Sequence, residues 1–81
     1  MKTFHLTVAK VGENLFDKEA ISVSLPGKEG MFQVLAEHEA FVSELRSGTI
    51  HIKTADDASH TVSIEKGGVA EVSGGQVTVL L

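Results

Sequence analysis

The 81-residue sequence contains no cysteine, no tryptophan, no tyrosine and a single proline. Without cysteine there are no disulfide staples, no sulfur-bound zinc, no thiolate nucleophile and no iron-sulfur cluster, and the composition agrees with a reducing compartment. Tryptophan and tyrosine are the side chains most used as interface anchors and base-stacking platforms, so neither device is available in its usual form. Basic residues are also scarce. Seven lysines and arginines against eleven aspartates and glutamates give a formal charge of −4, which repels the phosphate backbone and argues against a nucleic-acid partner. No window approaches the roughly 20 apolar residues that cross a bilayer, so no direct membrane insertion is expected. The N-terminus alternates instead of forming an apolar block, which reads as a strand and not as a signal peptide.

What the chain does have is alternation. Phe4, Leu6 and Val8 share one sheet face while Thr3, His5 and Thr7 share the other. Val11-Gly12-Glu13-Asn14 supplies turn chemistry, and Leu15-Phe16-Asp17 is long enough only for a short second strand. Ile21, Val23 and Leu25 alternate with Ser22 and Ser24 until Pro26, where the missing N–H ends a third strand. Gly27-Lys28-Glu29-Gly30 is a tight turn, followed by a fourth strand with Phe32 and Val34 on one face. Met31 and Leu35 fall on the opposite face, as a partner surface or, for Leu35, as a cap on the edge of the core. By propensity Ala36 to Arg46 would be a short helix, with His38, Phe41, Val42 and Leu45 at helical spacing.

Two hairpins complete the pattern. Ile50 and Ile52 share a face with Val62 and Ile64 when cross-strand partners sum to an even number, here 114, which leaves a loop of Ala55 to Ser59. Gly74-Gly75 suits a type I′ turn and pairs Val72 with Val77 and Ala70 with Val79. Short strands separated by turns point to an all-β sandwich or barrel, one domain over residues 1–81. At this size only somewhat over ~60% of the unfolded surface is buried.

Elimination leaves no active site. The four histidines show no His-x-His or HExxH spacing, and parity puts His51 on a polar face and His60 at the end of an apolar one, so no metal is expected. Glu37 and Glu39 flank His38 and could raise its pKa, although a solvated loop explains them as well. Ser22, Ser24 and Ser47 lie outside any G-x-S-x-G elbow, and Gly67-Gly68 and Gly74-Gly75 lack the lysine and hydroxyl of a phosphate loop. Asp56 and Asp57 read as a solvated loop tip. No cofactor and no small-molecule ligand are expected.

The order of elements nevertheless resembles a known family. Thr3-Phe4-His5-Leu6, Leu15-Phe16, Ser24-Leu25-Pro26-Gly27-Lys28-Glu29-Gly30, Val34-Leu35-Ala36-Glu37-His38, Ser47-Gly48, Gly67-Gly68-Val69-Ala70-Glu71-Val72 and Gln76-Val77-Thr78-Val79-Leu80 are similar, in one register, to the epsilon subunit of bacterial F-type ATP synthase. The resemblance implies a two-sheet antiparallel β-sandwich (a flattened barrel) in the central stalk. It implies a non-catalytic rotor subunit that connects the gamma subunit to the c-ring, so that ion-driven ring rotation is coupled to ATP synthesis. Such a subunit is peripheral, on the cytoplasmic face of the bacterial plasma membrane. Gly27, Lys28, Glu29, Gly30, Met31 and Phe32 match the turn that faces the c-ring, and His38, Phe41 and Val42 match the segment toward gamma. The family usually has Pro-Gly-His-Ala-Pro where this chain has Ala36-Glu37-His38-Glu39-Ala40; matching positions in the family are turn then strand, which overrules the helix. Full-length relatives continue past the position of Leu81 into an inhibitory two-helix hairpin, so inhibition and ATP sensing are not expected of these residues. The alternative reading is a freestanding β-sandwich binding a small ligand between its sheets, which requires an apolar cavity of roughly 300 Å³ or more.

Overall fold

The computed structural model describes residues 2–81, and these form nine strands and no helix. In chain order they are β1 (Phe4–Lys10), β2 (Glu13–Ala20), β3 (Ser22–Gly27), β4 (Gly30–Leu35), β5 (Phe41–Leu45), β6 (Gly48–Lys53), β7 (Ser59–Ile64), β8 (Gly68–Ser73) and β9 (Gln76–Leu80). One layer runs β2-β1-β9-β8-β5 and the other contains β4, β3, β6 and β7. They join at one corner, where Gly27 of β3 pairs with Leu45 of β5. The sandwich therefore has the continuous hydrogen-bonded path of a flattened barrel. All ladders are antiparallel except β1 with β9, which run parallel from His5↔Gln76 to Ala9↔Leu80.

The alternating positions fill the space between the layers. Leu6, Val8, Val23, Leu25, Val34, Ile50, Ala70 and Val79 are fully buried, and Ile52, Val72 and Val77 nearly so. The β8–β9 hairpin has the register the glycine pair implies, Val72↔Val77 and Ala70↔Val79, with positive φ at both Gly74 and Gly75.

Three local expectations are corrected. The second strand is eight residues long, not three, because Asp17 and Glu19 are solvated outward positions of a regular ladder with β1. A register shift after Val8 accommodates one extra residue of β2. The third strand does not stop at Pro26: the ladder continues through Pro26↔Met31 to Gly27↔Gly30. Alternation points the backbone of Pro26 away from β4, its carbonyl accepts the N–H of Arg46 at 2.9 Å, and the missing donor falls where β3 exchanges β6 for β5 as neighbour. Over Ala36 to Arg46 the structure has the turn and then the strand that the resemblance implies, and the Phe41↔Val72 to Leu45↔Gly68 ladder of β5 overrides the helical propensity of these residues. Finally the β6–β7 partners sum to 112, as in Ile50↔Val62, not 114. The loop is still five residues but runs from Thr54 to Ala58. Thr54 N–H donates to the Ala58 carbonyl, the Thr54 hydroxyl bonds the Asp56 carboxylate, and Asp57 takes a left-handed φ of 65°.

Candidate functional surface

The β3–β4 hairpin and β5 together form one concave surface. The hairpin reverses through Lys28-Glu29, and Gly30 supplies the positive φ of 135°. Gly27 is needed for a different reason. A Cβ there would lie 2.8 Å from the Gly30 carbonyl oxygen and 2.9 Å from the ring of Phe32. The turn is fastened to β5 by Lys28 N–H donating to the Glu44 carbonyl at 3.0 Å and by Lys28 Nζ to the Glu44 carboxylate at 3.2 Å.

Gly27 to Phe32 line one side of a cleft of about 760 Å³, and Phe41 to Glu44 line the other. A second concavity of about 370 Å³ adjoins it, lined by Phe32, Gln33, His38, Glu39, Ala40 and Phe41. The two share Phe32 and Phe41, whose rings meet edge to face with centroids 5.6 Å apart. Fold thus brings all nine sequence-selected residues to one side of the molecule. Their exposure differs. Met31 is 54% and Val42 67% exposed, whereas Gly27 is buried and positions the turn without forming its surface. Leu35 is 52% exposed, so it does not cap the core.

His38 is also exposed; its Nδ1 lies 3.0 Å from the Glu39 carbonyl oxygen and its ring stacks obliquely on Phe41 at 5.0 Å. Neither flanking carboxylate forms a hydrogen bond to it. Glu37 has a left-handed φ of 67° and its carboxylate is taken by Lys2. The cleft's lysine and one of its glutamates are likewise paired with each other. What such a surface offers is apolar side chains among solvated charges, suited to binding another macromolecule. The buried side chains of the two layers pack into one cluster, and both concavities lie outside it. A further concavity of about 310 Å³, where β2 meets the β6–β7 hairpin, is lined by Lys18, Glu19, Thr54, Ala55, Asp56 and His60, so its lining is polar and charged and not that of the apolar ligand cavity the alternative reading requires.

A titrating cluster on β1 and β2, away from this surface, was not singled out from the sequence. His5 Nε2 lies 2.5 Å from Asp17 and its Nδ1 3.1 Å from Glu19, while Thr7 and Thr3 hydroxyls donate to the same two carboxylates at 3.1 and 2.8 Å. The hydrogen bond to Asp17, then that to Glu19, raises the His5 pKa. The bond from His5 is the first cause lowering Asp17, and the Thr3 hydroxyl followed by His5 lowers Glu19. Recognising β2 as a full strand would have exposed the cluster, since the ladder sets His5 against Glu19 and Thr7 against Asp17.

Residues 3–81 match the family model described as the beta-sandwich domain of the ATP synthase delta/epsilon chain. An ATP synthase epsilon chain of Bordetella avium is 39% identical over 80 residues, 99% of this chain and 56% of the relative. That of Sulfurimonas denitrificans is 43% identical over 67 residues, 83% and 51% of the two chains. A chain in the cryo-EM structure of the Euglena gracilis mitochondrial ATP synthase (OSCP/F1/c-ring) superposes with a TM-score of 0.89 at 25% identity, covering 96% of this chain and 49% of that one. A chain of the Tetrahymena thermophila central stalk and c-ring shares the fold, with a TM-score of 0.76 at 12% identity over 98% and 63%. The chain spans about half the length of the curated relatives it matches. By the match of nearly its whole length, the chain belongs to the ATP synthase delta/epsilon family as its beta-sandwich domain.

Proposed function

We propose that this domain is a non-catalytic rotor component of an F-type ATP synthase, joining the gamma subunit to the c-ring so that ring rotation turns gamma. The observation that carries the reading is the family match over residues 3–81. The likeness to a chain solved within an F1/c-ring assembly supports it. In this reading Lys28, Glu29, Gly30 and Met31 meet the c-ring, with Gly27 and Phe32 shaping the turn beneath them, and His38, Phe41 and Val42 face gamma. The two surfaces adjoin across the Phe32–Phe41 contact, so the β3–β4 hairpin and β5 together can hold both partners in fixed relation. The domain would sit peripherally, on the cytoplasmic face of a bacterial plasma membrane, and would need no cofactor and hydrolyse nothing by itself.

The test is capture of the cognate gamma subunit and of detergent-solubilised c-ring on the immobilised protein. Binding to both is expected. Binding to neither, or ATP hydrolysis by the purified protein alone, would overturn the assignment.

A further inference from the structure

The β4 strand lies at the edge of its layer, paired only with β3. The two-residue turn makes Gly27 and Gly30 the closing hydrogen-bonded pair, so Gly30, Phe32 and Val34 point their backbone groups at β3. The N–H and C=O groups of Met31, Gln33 and Leu35 therefore point outward, away from the sheet. Natural edge strands usually carry charges that discourage a further strand. The edge strand β2 fits that rule with Glu13, Asp17, Lys18 and Glu19. β4, Gly30-Met31-Phe32-Gln33-Val34-Leu35, has no charge at all and two exposed apolar side chains, Met31 and Leu35. The third edge, β7, is uncharged too, but presents Ser59, Thr61 and Ser63 outward.

The geometry points to a second copy of this chain as the occupant of that edge, paired antiparallel through β4 about a two-fold axis at Gln33. A two-fold axis normal to the sheet requires partner numbers with an even sum. A sum of 66 sets Gln33 against Gln33 of the second copy and Met31 against Leu35, twice. Each of these three residues has its backbone groups directed outward, so this register makes all the rungs that β4 can offer, about six hydrogen bonds. It also covers each exposed Met31 with a Leu35 on the same face and leaves Phe32 and Val34 on the inner face. Past the strand ends, Lys28 and Glu29 of one copy approach the Lys2–Glu37 pair of the other, so both signs are present at each contact. An interface of this size falls in the weak, transient class, with an expected dissociation constant roughly between micromolar and millimolar. The pairing covers Met31, so it would occupy the free protein and exclude the ring-facing contact proposed above, without depending on it.

Sedimentation equilibrium of the protein alone is expected to show a monomer–dimer equilibrium and nothing larger. Gln33→Lys brings two like charges together on the axis and should weaken association at least about tenfold, while Thr61→Lys on the β7 edge should not. Because the sequence has no cysteine, Gln33→Cys gives a single thiol. The expected Cα separation across a hydrogen-bonded pair is about 5.5 Å, within disulfide range. Mild oxidation should convert Gln33→Cys to a covalent dimer and leave Thr61→Cys monomeric. A protein that is monomeric up to about 1 mM, or a dimer indifferent to Gln33→Lys, would overturn the proposal whether or not gamma and the c-ring bind.

Discussion

Gly27 shows how a single residue can hold a surface in shape without belonging to it. Its φ is ordinary, yet a Cβ would press on the Gly30 carbonyl and on the Phe32 ring at under 3 Å. Gly27→Ala is therefore expected to lower stability by about 1–3 kcal/mol through overpacking and to displace Phe32, read as shifted Phe32 and Phe41 ring resonances. Gly30→Ala meets open space but a φ of 135°, so it should also destabilise, by backbone strain, while leaving those rings closer to their places. Sequence identified both as turn glycines; it could not say that one serves the backbone and the other a ring. His5 carries a second residue-scale prediction. Carboxylates only accept, so both ring nitrogens of His5 are satisfied only in the imidazolium. Its raised pKa means that its contribution to stability is complete below the ordinary histidine value of about 6.5 and is lost as pH rises through the folded value. The lowered pKa values of Asp17 and Glu19 give the opposite limb, complete above the ordinary carboxylate value of about 4 and lost on acidification. Thermal melting against pH should thus favour mildly acidic solution over pH 8, and His5→Gln should flatten that difference. An unchanged slope in the variant would rule the cluster out as its source.

At the scale of elements, hairpins whose turns and faces agree were legible and those with conflicting signals were not. Gly74-Gly75 set the β8–β9 register because both central positions need positive φ. The β6–β7 register was legible only in parity, since the Thr54 hydroxyl with Asp56, not strand pattern, decides where that loop closes. Charged Asp17, Lys18 and Glu19 hid β2, and good helix formers hid β5. In both cases a neighbouring strand supplies the ladder that local preference does not reveal. Val72 lies at the centre of this cross-strand logic, paired with Val77 on one side and Phe41 on the other and only 4% exposed. Val72→Ala should cost on the order of 1–3 kcal/mol, seen as a lower denaturation midpoint with an unchanged slope. A loss confined to a few tenths would mean that the β5–β8–β9 row repacks without a cavity.

For the whole molecule, the question is which apolar groups belong to the fold and which to partners. Period-two patterning marks what faces inward, so it located an all-β sandwich or barrel and the exposed Met31, whereas the two-sheet form was implied by the family resemblance. The sequence did not show that the segments assigned to ring and gamma line adjoining concavities, because that depends on β3 exchanging β6 for β5 at Pro26. A surface of this kind separates docking from stability. Met31 is half exposed and contributes little to the core, so Met31→Glu should change folding stability by no more than about 0.5 kcal/mol. It should weaken capture of the c-ring at least about tenfold, since a carboxylate replaces the most apolar group of the turn and must be desolvated on docking. Val11, 99% exposed on the β1–β2 turn and outside the cleft, is the matched control. Val11→Glu removes apolar surface of the same kind, yet should leave both melting temperature and ring capture unchanged. Equal losses in the two variants would attribute the effect to net charge alone. A large drop in melting temperature for Met31→Glu would instead assign Met31 to the core, and the cleft would lose its place as the docking surface.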